Sequence, residues 1–188
     1  MELVKQPAFR AAWGIPEYTT DEDKNPSEEL LAIPLYAQMR DVEIALRFFA
    51  LRHAEHYQRG MAGFLDLYMV RTRKFTDEDV QILGALFIRT LNLSLAIYGE
   101  HLFRPWDADK KAWSQRPQVA FADAVMVGIS KHLDLSDILV ARKDQILNET
   151  TLLFESNPSG TFTGLKNTKK DVQQRIRLFQ EMLAHVLG

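Results

Sequence analysis

The sequence contains no cysteine. That excludes disulfides, thiolate metal sites and a cysteine nucleophile, and it fits a cytoplasmic protein. Glycine is thin: nine scattered residues form neither a phosphate-cradling loop nor a Gly-x-Ser-x-Gly elbow. No apolar run reaches membrane-spanning length, so no membrane partner is expected. The opening MELVKQPAFRAAW lacks the apolar centre of a signal peptide. Neither sign of charge dominates. Lys and Arg total 23 against 25 Asp and Glu, and a net charge of −2 makes the molecule as a whole no magnet for polyanions. There is no internal repeat, and no alternating run is long enough to build a sheet.

The residues that carry chemistry are equally sparse. His53 and His56 lie three apart with Glu55 between them. A zinc-protease helix needs histidines four apart with the acid directly after the first. The remaining histidines, His101, His132 and His185, stand alone. No serine is marked as activated, and no acids cluster in the strand context of a metal-dependent nuclease. No catalytic, cofactor-binding or metal-binding residue is assigned, and the chain by itself is not expected to be an enzyme.

What is present is helix. At 188 residues, 46% hydrophobic and 26% charged, the chain can bury one full core. The pattern predicts a single all-α domain over 1–188, with a docking helix and acidic loop in 1–35 and a helical core in 36–188. That core is an irregular bundle of six to eight helices around central helices near 36–57 and 118–133. The stretch YAQMRDVEIALRFFALRHAEHY, residues 36–57, has no Pro or Gly and reads as one helix of about six turns. Stepped at about 100° per residue, it places Met39, Val42, Leu46, Phe49 and His53 on one side and Ile44, Phe48 and Leu51 on a second arc. Arg40, Glu43 and Arg47 run between them. Charges flanked by apolar residues need partners, and Glu43 and Arg47 are four apart. Residues 118–133 are apolar nearly all round and belong mid-bundle. Their one acid, Asp123, is expected to pair with an arginine of the long helix. The structural reading is an ion-pair network of Arg40, Glu43, Arg47 and Asp123; the functional one is that Arg40 or Arg47 reaches a ligand or partner.

The other segments follow from their punctuation. Residues 1–14 form a short helix interrupted by Pro7 and stopped by Gly14. Residues 15–35 form a solvated acidic loop, since 1–36 hold seven acids against three bases. Gly60 closes the long helix. A second helix covers about 62–74, packed by Phe64, Leu65, Tyr68, Met69 and Val70. Thr76 with Asp79 reads as a capping pair that opens a helix with Ile82, Leu83, Leu86, Phe87, Thr90, Leu91, Leu93, Ser94 and Ile97 inward, up to Gly99. Ser136 caps a helix to about Phe154, with Ile138, Leu139, Ile146 and Leu153 inward. Thr168 heads the last helix. Two basic regions are candidate partner or nucleic-acid contacts: Arg71, Arg73 and Lys74 at one helix end, and Arg104, Trp106, Lys110, Lys111, Trp113 and Arg116, where bases alternate with aromatics on which nucleotides can stack. The bland readings are dipole complementation and tryptophans that pin a loop to the core. Residues 156–188 add five bases against two acids.

Arg40-Asp41-Val42-Glu43 followed by Leu46-Arg47-Phe48-Phe49-Ala50-Leu51 resembles the Arg-Asp-x-Glu-x-x-Leu-Arg-Phe helix of the GmrSD-type restriction endonuclease family. It is similar to the helical second half of that family's N-terminal, ParB/sulfiredoxin-like module. The likeness continues in order through Tyr57, Gly60, Phe64-Leu65 and Met69, then Tyr98-Gly99 with Phe103-Arg104. Phe121, Asp123 and Ala124 follow, then Phe162-Thr163 with Arg175-Ile176. The opening FRAAWGIPE resembles the segment after the family's Arg-Leu-Asn and Glu-Leu-Arg motifs. The resemblance thus runs over nearly the whole chain. The family's Asp-Gly-Gln-Gln-Arg motif, tied to nucleotide binding and hydrolysis, and its His-containing nuclease domain are absent, so no family catalytic residue maps onto this chain. The resemblance implies a non-catalytic helical scaffold of an anti-phage, modified-DNA-targeting system. It would use no cofactor of its own. Its partner is an N-terminal nucleotide-using module, lost in front of Met1 or carried on a neighbouring chain. That module is expected to meet residues 1–14 and the Arg40/Arg47 stripe. Direct DNA binding and a homodimeric interaction protein are the alternatives.

Overall fold

The computed structural model describes residues 2–158, 160–165 and 167–188. Among them the chain forms ten α-helical segments and one two-stranded ladder. A 3-10 turn at Glu2–Lys5 leads into α1 (Pro7–Trp13), closed by Gly14 in the left-handed region at φ 66°. Single turns α2 (Glu28–Leu31) and α3 (Pro34–Ala37) precede α4 (Arg40–Leu51) and α5 (Gly60–Thr72). Then come α6 (Asp77–Tyr98), strands β1 (Trp106–Asp107) and β2 (Ala112–Trp113), and α7 (Val119–Ile129). Helices α8 (Ser136–Ala141), α9 (Lys143–Glu155) and α10 (Lys169–Leu187) complete the chain. The all-α architecture expected from the sequence is the one formed.

Helix α7 is the axis of the bundle. Residues 120–129 are all buried, and α4, α6 and α10 pack around them. A helix apolar on every side has no solvent face to offer, so it can only be surrounded. Phe121 is fully buried and meets the rings of Tyr98, Phe154, Phe162 and Phe179 edge-on, with centroids 5.1–6.3 Å apart. Gly128 is the close-approach point for α10. A Cβ there would come 2.5 Å from Phe179 Cδ1. The long helices α6 and α10 both begin with complete capping boxes, Thr76/Asp79 and Thr168/Asp171.

Several boundaries differ from the periodicity. The expected continuous helix over 36–57 is three pieces. Met39 sits in the left-handed region at φ 54° and breaks the chain between α3 and α4. After Leu51 the helix ends, and a separate 3-10 turn forms at Ala54–His56. Met39 is therefore exposed, and so is His53, rather than packed. Gly60 opens α5 instead of closing the preceding helix. The expected helix from Ser136 to Phe154 is broken at Arg142, whose side chain donates to the Val186 carbonyl. Ser136 lies inside α8 and caps nothing. Met69, Val70, Ile82 and Ile138 point to solvent. The acidic loop is also not wholly solvated: Glu22 is 6% exposed and takes a two-pronged bond from buried Arg10, both contacts at 2.9 Å.

Membrane length needs a correction as well. The helical stretch Asp77–His101 is 25 residues long with a mean hydropathy of 1.6 in its most apolar window. By length and composition alone it could cross a bilayer. Its second half instead lies in the bundle, with Phe87, Leu91, Ile97 and Tyr98 buried.

Candidate functional site

The charged stripe of α4 ends at a polar cleft of about 220 Å³. One wall is the first turns of α4, with Arg40, Glu43 and Ile44. A second is the start of α7, residues 118–120, and the third is the loop carrying Thr163, Gly164 and Asn167. Arg47 forms part of the floor. Its guanidinium is tied to Asp123 of α7: Nε donates to Oδ1 at 3.0 Å and Nη2 donates to Oδ2. The third nitrogen, Nη1, lies 3.5 Å from Glu43 Oε1. Burial alone would lower the pKa of Arg47, but the Asp123 carboxylate, with a smaller contribution from Glu43, offsets this and holds it above its ordinary value. This pair joins two helices 76 positions apart in sequence.

Behind the loop stands Arg175 of α10, fully buried. Its Nη2 donates to Asn167 Oδ1. Its Nε and Nη1 have no hydrogen-bond acceptor among the described residues. Burial pulls this guanidinium below its ordinary pKa, Asp123 pushes it back, and Arg47 opposes that push. Tyr57 closes the back by donating to the Asn167 carbonyl at 3.2 Å. Of the four residues expected in an ion-pair network, the fold thus joins Glu43, Arg47 and Asp123. Arg40 stays exposed at the mouth.

The basic segment after α6 is folded onto itself. Trp106 pairs with Trp113 across β1–β2, and Trp113 stacks on His101 with centroids 4.9 Å apart. Lys110 binds Asp107 at 2.7 Å, and Lys111 binds Glu155 at 2.7 Å. Trp106 Nε1 donates to the same Glu155 oxygen. The open groove beside this hairpin, about 620 Å³, is lined by Asp107, Asp109 and Glu155, so carboxylates face it. Arg104 and Arg116 lie outside these pairs. Arg71, Arg73 and Lys74 crowd the exposed end of α5 and enter no salt bridge among the described residues. Of the basic C-terminal segment, Lys166 lies outside the described residues, as does Met1 of the opening helix.

Near that basic end several large apolar side chains are exposed. Met69 and Val70 of α5, Phe75 of the connection, and Val80 and Ile82 of α6 are 37–60% exposed. The opening helix, expected to face a partner, buries several of its large side chains in the bundle. Val4, Phe9 and Trp13 are buried, with Phe9 against Phe87 and Trp13 stacked on Phe103. The sequence pattern missed Arg175 and Asn167 as site residues. Arg175 sits among Val172, Ile176 and Phe179, and a lone arginine on an apolar helix face was the available signal.

No family model, curated protein or solved structure matches the chain.

Proposed function

We propose that this chain is a non-catalytic helical support and interaction module. On the resemblance of its motifs, it serves a GmrSD-type, modified-DNA-targeting defence protein and works in the cytoplasm beside a nucleotide-using module on another stretch of polypeptide. The observation that carries the interaction role is the concentration of exposed apolar side chains on α5, its connection and the start of α6. Five large apolar side chains exposed within residues 69–82 are a costly feature for a surface that meets only water. Val4, Phe9 and Trp13 are committed to the core, so we assign the docking face to residues 69–82.

The test is size-exclusion chromatography of the chain mixed with a purified nucleotide-using module of this family. Co-elution that Val80→Asp and Ile82→Asp abolish supports the reading. No association, or nucleotide turnover by this chain alone, overturns it. A second reading, nucleic-acid binding, is favoured by Arg71, Arg73 and Lys74 standing without ion partners among the described residues. A gel shift with steep salt dependence, lost on replacing those three residues, would move the role there. A third, a homodimer joined through the same apolar side chains, is read from the mass of the chain alone in solution.

A further inference from the structure

We propose that the pocket between the end of α4 and the inner face of α5 binds a small planar aromatic acid, a role additional to partner docking at residues 69–82. Phe64, Leu67, Tyr68 and Arg71 are spaced three or four apart on α5, so they share one face of that helix. The face lies across from the last turn of α4 and the 3-10 turn that follows it, and the two sides leave a pocket of about 200 Å³. Ala50 and Phe64 are buried and form its floor. Leu67, Tyr68 and Phe75 continue the apolar wall outward. The rings lean on one another at its edges and do not fill it. Phe64 meets Tyr57 with centroids 5.1 Å apart, and Phe75 meets Tyr68 edge-on at 6.4 Å. A space faced by three aromatic side chains suits a flat ring, which each wall can meet by edge or by face.

The rim supplies the polar half of the ligand. His53, His56 and Arg71 are exposed around the mouth, and no carboxylate lines the pocket among the described residues. Glu55 lies outside the lining. It approaches His53 at 3.9 Å and His56 at 3.6 Å, too far for strong bonds, and it makes no ion pair with Arg71. Arg52 brings a second guanidinium nearby, 5.9 Å from the Phe48 ring and within electrostatic reach of the Tyr68 hydroxyl. A carboxylate at the mouth can accept the two-pronged bond an arginine offers, while its ring stays among apolar side chains. A nucleobase fits less well, because its polar edge would face walls that are mostly hydrocarbon. The pocket is smaller than the roughly 300–1,000 Å³ that holds a drug-sized ligand, so the acid carries one ring or two fused ones.

The experiment is a titration of naphthoate into the whole chain at constant ionic strength, followed by the amide NMR signals of His53, Tyr68 and Arg71. Naphthamide, its neutral isostere, and adenosine monophosphate are the comparison ligands. Saturable shifts at those three amides are expected, with the acid bound about threefold more tightly than the amide, as suits an ion contact at an exposed rim. Arg71→Gln should erase that preference, and Phe75→Ala should weaken both ligands about fivefold. Both positions are exposed, so both variants keep the fold. Val80→Asp and Ile82→Asp, the substitutions that block docking, should leave naphthoate binding unchanged, so the pocket and the docking face can fail independently. Shifts that never saturate, binding indifferent to Phe75→Ala, an acid preference that is absent or survives Arg71→Gln, or adenosine monophosphate binding as tightly as naphthoate each overturn the proposal.

Discussion

Replacing Asp123 with Asn keeps the side chain's shape and removes its charge. Asp123 is 4% exposed and Arg47 is 7% exposed, so water cannot replace the lost partner. The change strands the buried Arg47 guanidinium, which keeps only the half-exposed Glu43 at 3.5 Å, and removes a favourable field from buried Arg175. Breaking one side of a buried pair costs about 3–5 kcal/mol, a large share of the roughly 5–15 kcal/mol that holds a domain together. For a chain of this size that is a fall in Tm of about 6–20 °C. Arg47→Met should cost less. It leaves Asp123 with the favourable field of Arg175, so the stranded anion is partly offset. Pairing Arg47→Met with Asp123→Leu should recover part of the loss, as apolar replacements of buried pairs do, but not all of it, since Arg175 remains. The assay is urea unfolding of the four proteins, read as a double-mutant cycle. Asp123→Asn within 1 kcal/mol of the parent, or less damaging than Arg47→Met, would refute the picture of one carboxylate serving two arginines.

Acid stability should track the α6 cap. The Asp79 carboxyl is held below its ordinary value of 3.8, first by the Thr76 backbone N–H and then by the Thr76 hydroxyl. A lowered carboxylate contributes above its unfolded pKa and loses that contribution as pH falls through the folded value. The stability gap between the parent and Asp79→Asn should therefore be constant from neutral pH down to about 5 and shrink below about 4; a gap that grows in acid would contradict this. At the crossing of α7 and α10, Gly128→Ala should destabilise by about 1–3 kcal/mol despite alanine's better helix propensity. The added Cβ would meet the Phe179 ring at 2.5 Å, and a thermal melt reads the result.

What could be read in advance, and what could not, divides along a physical line. Residues 118–129 announced themselves because a helix apolar on every side has only one place to go. Thr76 and Thr168 could be read as caps because a capping box is a local bargain over four residues. The break at Met39 was invisible for the opposite reason. Nothing in the segment itself disfavours helix; the left-handed turn at φ 54° separates α3 from α4, and tertiary packing overrides propensity. The same holds at Arg142, where the side chain reaches the end of α10. Half the cleft was foreseeable. A charged stripe between apolar arcs demands a partner, and Asp123 was the one acid in the most buried helix. The other half was harder to read, because the one signal for Arg175, its place among the apolar residues of α10, does not say what that face packs against. Glu22 was lost in the same way, as one of seven acids in an apparently solvated opening, until Arg10 drew it under the surface. Charged residues are read wrongly from sequence when their burial is decided by a distant element, and the arginine-lined cleft is made of three such elements meeting.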